Sequence, residues 1–188
     1  MSDKIKIIFA FISFAIGVTL PLVGVVTLVL SLLGYIDTAP WVGVALSVSA
    51  FLLFFALGGL FLARIEDPSW FTVSLPYLFS TIYAIFPDLV PLQVDDAAAM
   101  SAGALLSFLL ALRKNPDVPR WILIVLLLAA GYTFFGGAIP GPLDEFIVDI
   151  AALLIAVYGA NKAEQPDKET QQAIEARLEQ LNTQDREQ

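Results

Sequence analysis

Two acidic pairs, Asp95-Asp96 and Asp144-Glu145, stand 49 residues apart, with Asp88 and Asp149 close to them in sequence. Carboxylates in this pattern offer three kinds of chemistry. They can sit at helix N-termini, accepting bonds from orphan N–H groups and complementing the helix dipole; this is the favoured reading of Asp95 and Asp144 as N-caps. Asp88, Asp95, Asp96, Asp144, Glu145 and Asp149 could instead converge into an outward-facing acidic mouth for a hard cation such as Ca²⁺ or Mg²⁺, helped by carbonyls of bent turns. No spacing here matches a known metal loop. Lastly, Asp95 and Asp144 could meet as an aspartic dyad, but the sequences around them carry no intramembrane protease motif. The expectation is a protein that is not an enzyme and needs no cofactor.

Asp149 is the least ordinary acid, because Phe146, Ile147, Val148 and Ile150 surround it in an apolar run. An ionisable group one turn inside a span is a functional candidate by default. Its distance from the helix start, about 6 Å, also allows it to reach interfacial water.

The remaining side-chain chemistry is limited. The chain has no Cys and no His, which removes disulfides, thiolate and imidazole metal sites, Cys nucleophiles and Ser-His-Asp catalysis. A net charge of -8 argues against nucleic-acid partners, which require clustered Lys and Arg.

Apolar residues make up 58% of the 188 residues, charged ones 15%, and mean hydropathy is +0.80. These values belong to an all-α integral membrane protein. About six transmembrane helices are expected, over 7–36, 41–63, 71–86, 97–112, 121–135 and 146–160. Together they form a membrane domain, 1–162, followed by a soluble tail, 163–188. The first run follows basic Lys4 and Lys6 and reads as a signal anchor rather than a cleaved peptide. It exceeds the ~30 Å hydrocarbon core, so a kink is expected at Pro21. The fourth and sixth spans read as short, and Pro87, Pro91, Pro140 and Pro142 mark helix ends.

All ten Lys and Arg fall on one side of this layout, while Asp37, Asp88, Asp95, Asp96, Asp144, Glu145 and Asp149 fall on the other. The positive-inside rule then puts both termini in the cytoplasm, in what is expected to be a bacterial inner membrane. Trp41, Trp70 and Trp121 all lie at span ends, where the indole ring is favoured.

Tyr83–Asp96 and Tyr132–Glu145 align without a gap. Across the wider 49-residue offset Tyr83/Tyr132, Phe86/Phe135, Pro91/Pro140, Asp95/Asp144, Ala102/Ala151, Leu105/Leu154 and Ala111/Ala160 are identical. The expectation is two parallel helical-hairpin repeats, 71–113 and 121–162, related by an axis along the membrane normal. A weaker echo runs from Tyr35 to Pro40. The second helix of each repeat has small residues every fourth position: Ala99, Gly103, Ser107 and Ala111, then Ala152, Ala156 and Ala160. Such stripes allow close backbone approach, and the two helices are expected to pack near the pseudo-axis. The tail can form a short helix from Asp167, either solvated or docked on a protein partner through Ile174, Leu178 and Leu181.

Phe86-Pro87-Asp88-Leu89-Val90-Pro91 followed by Val94-Asp95-Asp96 resembles the signature of the bacterial YkvA-like family of unknown function, over roughly 77–112. The second copy carries a degraded form, with Gly136-Gly137 in place of Pro87-Asp88, and the usual glycine before the acidic pair is missing. The resemblance implies a helical-hairpin membrane unit and no particular reaction. The function expected is that of a structural or accessory subunit of a larger membrane assembly, whose partners are the bilayer and other membrane subunits or a second copy. The alternative is a cation-handling transporter or channel that uses the acidic turns.

Overall fold

A computed structural model of the chain describes residues 1–85, 94–135, 143–164 and 177. Among the described residues there are seven helices and no strand. They are α1 (Asp3–Thr19), α2 (Pro21–Leu32), α3 (Pro40–Leu62), α4 (Trp70–Tyr83), α5 (Val94–Lys114), α6 (Trp121–Phe135) and α7 (Leu143–Glu164). Four runs are long and apolar enough to cross a membrane: Asp3–Leu32, Pro40–Leu62, Asp95–Lys114 and Asp144–Glu164.

α1 and α2 form one path with a joint. Leu20 keeps helical dihedrals, φ -63° and ψ -35°, but Pro21 has no N–H to return to the Gly17 carbonyl, so the ladder is interrupted there. Gly34, at φ 74°, turns the chain after α2, a left-handed position that glycine takes without a Cβ penalty.

α3 runs back along the whole path. Phe9 stacks on Phe61 at 5.4 Å, and Phe14 meets Phe55 edge-on at 4.9 Å. Beyond the joint, Gly24 and Gly43 bring the two backbones together, and the Ser47 hydroxyl donates to the Pro21 carbonyl at 2.8 Å.

α4, α5, α6 and α7 form a ring in which each helix packs on the next and α7 closes on α4. α1 attaches the N-terminal hairpin to this bundle by packing on α4, through Phe11 and Phe14 against Phe79. α2 reaches only α1 and α3 to any extent, and Pro21 and Gly24 are its buried residues. Among the described residues the outer half of the hairpin is therefore a two-helix arm.

One end of the molecule collects the bases. Lys6 donates to the Arg64 carbonyl at 2.7 Å. Lys114 lies 3.3 Å from both Asp67 and Glu164, over the Trp70 ring, whose Nε1 donates to Glu164 at 2.6 Å. The opposite end of the bundle carries the first-turn acids of α5 and α7.

The short helices are not the ones expected. α5 and α7 have 21 and 22 residues, while α4 and α6 have 14 and 15. The sequence reading started α5 and α7 after their acidic pairs and stopped them before their terminal bases; both sets of charged residues lie inside the helices. Negative charge in the first turn and positive charge in the last oppose the helix dipole favourably, so they extend these helices.

Candidate functional site

α4 is the helix that organises the bundle interior. Ser69 starts it, its hydroxyl accepting from the Thr72 N–H at 3.1 Å. Pro76 then interrupts the ladder within the apolar run. The Tyr77 N–H next to it donates to Ser107 Oγ of α5 at 3.1 Å, an example of a neighbouring helix answering a backbone group at a proline break. Gly103 makes this contact possible. A Cβ on Gly103 would stand 2.8 Å from Ser80 Cβ and 2.9 Å from the Pro76 carbonyl oxygen.

From the same turn of α4 the Tyr77 side chain crosses to α7, where its hydroxyl donates to Asp149 Oδ1 at 3.3 Å. Tyr77 is 0% exposed and Asp149 1%. The pair is sealed on all sides, so each polar group depends on the other for its hydrogen bond. Met100, which the 49-residue offset places opposite Asp149, is likewise fully buried on α5.

Nearer the helix starts, two further tyrosine–carboxylate bonds share one spacing. Tyr83 donates to Asp95 Oδ2 at 3.5 Å, and Tyr132 donates to Asp144 Oδ2 at 3.0 Å, each across twelve residues. The Asp95 and Asp144 assignments as N-caps need correcting. Both sit one residue inside their helices, where they complement the dipole and accept from phenols. Asp96 and Glu145, their sequence neighbours, are buried at 2% and 5%.

The depth of this layer follows from α3. The Tyr83 ring lies 5.0 Å from Phe51. Phe51 is ten residues from Trp41 and thirteen from Arg64, or about 15 Å and about 20 Å of helix. The Tyr83–Asp95 bond therefore lies below the end of the arm rather than level with it. Asp149 is five residues further along α7 than Asp144, roughly 7 Å deeper.

Among the described residues, no three of the acids come together closely enough to hold a metal ion. Asp95, Asp96, Asp144, Glu145 and Asp149 are divided among separate hydrogen-bonded pairs and helix turns, and Asp88 lies outside the described residues. Ile174, Leu178 and Leu181 lie outside them too, so the stripe proposed to dock a partner has no structural description.

All seven small residues, Ala99, Gly103, Ser107, Ala111, Ala152, Ala156 and Ala160, are buried. α5 packs on α4 and α6, and α7 packs on α6 and α4. The two helices are diagonal in the ring. Ser107, Ala111, Ala156 and Ala160 border a central gap of about 30 Å³ with Trp70 and Val73. The physical reason is ring closure, since α4 and α6 take the positions beside α5 and α7.

Tyr77, Pro76 and Ser107 form a buried cluster that sequence reasoning missed, with Ser107 read only as a small packing residue. A tyrosine directly after a proline inside an apolar run was the available signal.

Comparison with known proteins adds no further constraint, since no family model, no curated protein and no solved structure matches the chain.

Proposed function

We propose that the chain is a six-span membrane protein serving as a structural or accessory subunit, with the arm of α2 and the first half of α3 as its docking element. The observation that carries this is the arm itself. It consists of two apolar helices, runs beyond the layer where α4 ends, and among the described residues has no third helix against it. Its surface includes a groove of about 290 Å³ lined by Leu20, Val23, Gly24, Leu46, Ala50 and Leu53. Small residues in a groove of this kind admit the backbone of another transmembrane helix, where packing rather than hydrophobicity drives association. The bundle, by contrast, closes its own ring around a central gap of about 30 Å³.

The same reading places the basic end in the cytoplasm and the α5 and α7 helix starts towards the outside, by the positive-inside rule. It takes the bundle as two parallel hairpins, α4–α5 and α6–α7, related by a two-fold axis through the central gap. The matched Tyr83–Asp95 and Tyr132–Asp144 bonds support that axis. Kinship with YkvA-like proteins rests on the turn sequence alone. No catalytic role is assigned to any residue.

A photocrosslinking amino acid at Leu46 or Leu53 on the arm, with Leu128 of the bundle as control, tests the assignment in native membranes. One stoichiometric protein adduct from the arm positions and none from Leu128 supports it. Adducts to lipid alone from all three positions would sink it.

Buried Asp149 favours a second reading, proton handling, because an intramembrane carboxyl bonded to a phenol is the kind of group such proteins place between access routes. Under that reading Asp149→Asn abolishes proton flux in liposomes while membrane insertion is unchanged. Equal flux in both proteins would remove Asp149 from consideration.

A further inference from the structure

A second feature lies at the opposite end from the acids, on the outer face of α6 and α7. A groove of about 660 Å³ runs beside α7, bordered by Pro119, Trp121, Leu154, Ile155, Tyr158 and Lys162. Its floor exists because position 159 is glycine. The Trp121 indole packs against the helix there, and a Cβ would stand 2.6 Å from two of its ring atoms.

The groove's chemistry is graded along one stripe of α7. Leu154, Tyr158 and Lys162 recur at every fourth residue, so they stack on one helix face over about 12 Å. Aliphatic, then amphipathic, then cationic is the order in which a phospholipid presents its acyl chain, glycerol region and phosphate when read from bilayer to water. Trp121 and Tyr158, 43% and 71% exposed, supply the aromatic pair favoured at that boundary.

The state of Lys162 supplies the charge complementarity. In a chain with 18 acids and 10 bases, Lys6 is paired with Asp3, and Lys114 with both Asp67 and Glu164. Lys162 has no carboxylate within ion-pair distance among the described residues. Glu164, two residues on, is already held by Trp70 and Lys114. The groove thus joins an unneutralised ammonium to an apolar trough at the end of the molecule that also holds Lys6, Arg64 and Lys114.

We propose that this groove is a binding site for one anionic phospholipid of the adjoining leaflet, its phosphate on the Lys162 ammonium and its acyl chain along Leu154 and Ile155. The inference rests on the chain being membrane-embedded and is independent of the arm's role. Basic positions between helices at the cytoplasmic face select anionic headgroups in this way, and Lys162 adds a point charge with three rotatable donors.

The test uses the full chain in detergent, titrated with phosphatidylglycerol or phosphatidylcholine and read by native mass spectrometry. Quenching of tryptophan emission by dibrominated phosphatidylglycerol, with Trp121→Phe as reference, locates the bound lipid. The expected result is a preference for phosphatidylglycerol that falls about fivefold in Lys162→Glu, the scale of one basic residue at an anionic surface. It is retained in Lys162→Arg and unchanged in Lys4→Glu, with quenching that disappears in Trp121→Phe.

Three results would overturn the proposal. One is an equal loss in Lys4→Glu, which would mean diffuse charge rather than a site. Another is displacement of the lipid by millimolar inorganic phosphate, which would mean a soluble anion site. The third is a gain in lipid binding on truncation after Glu164, which would make residues 165–188 the resident occupant. Lys162 is exposed, so its variants leave the core intact; a preserved mass-resolved monomer and melting profile check this.

Discussion

Replacing Gly43 with alanine should open the arm, and the size of the effect follows from the crossing. The added Cβ would lie 2.5 Å from the Gly24 carbonyl oxygen and 2.8 Å from the Leu28 nitrogen. Both are backbone atoms of α2, which cannot rotate away as a side chain would. The helices must separate by about 1 Å before the contact becomes ordinary, and a gap of that size forfeits a quarter to a half of each dispersion well. With about 20 atom pairs at roughly 0.1–0.2 kcal/mol each across the crossing, the loss is about 1 kcal/mol. Opening should therefore become about fivefold more frequent.

The chain has no cysteine, so a single Ser47→Cys reports opening directly: Ser47 is 1% exposed and lies at the crossing. Maleimide labelling in detergent should run about fivefold faster when Gly43→Ala is added. Gly131→Ala is the control, since nothing lies within 4 Å of a Cβ there, and it should leave the rate unchanged. Equal rates in the Gly43 and Gly131 variants would refute the claim that close backbone approach holds the arm together.

Other predictions concern the bundle. Ser107→Ala removes the acceptor of the Tyr77 N–H and should lower stability by about 1 kcal/mol, seen as an earlier midpoint in SDS titration, whereas half-buried Ser101→Ala should not. Tyr77→Phe should cost about 1–2 kcal/mol by taking the phenol from Asp149. Asp149→Asn, which still offers an oxygen to that phenol, should cost clearly less, and the reverse order would contradict the bond as described. Exchange of Lys114 for alanine should cost under about 1 kcal/mol and lose its effect at high salt, because its carboxylate partners are exposed and screened. Cysteines introduced at the exposed positions Tyr35 and Asp117 should label from opposite sides of the membrane; labelling from the same side would overturn the assigned orientation.

Much of the layout was legible in the chain itself. The sorting of charge to one end, the tryptophans at helix ends and the long apolar runs are one-dimensional properties. They are the pattern that a bilayer imposes when it acts on every helix along the same axis. The matched tyrosine and aspartate positions were also visible, as a 49-residue echo. Their chemical connection was not, because a twelve-residue separation across a turn leaves the meeting of hydroxyl and carboxylate to the angle between two helices.

Sequence alone determined that this is an all-helical chain with membrane-length apolar runs, no thiol or imidazole chemistry, and bases confined to one side of the layout. Tertiary structure decided which helices are neighbours. It put α5 and α7 on a diagonal, where Ser107, Ala111, Ala156 and Ala160 border a central gap. It also brought Tyr77, freed for a cross-helix role beside Pro76, onto Asp149. Periodicity says which face of a helix is buried, but two faces of the same character can be buried against any partner. Only closure of the ring, with four helices sharing one interior, fixes which partner that is.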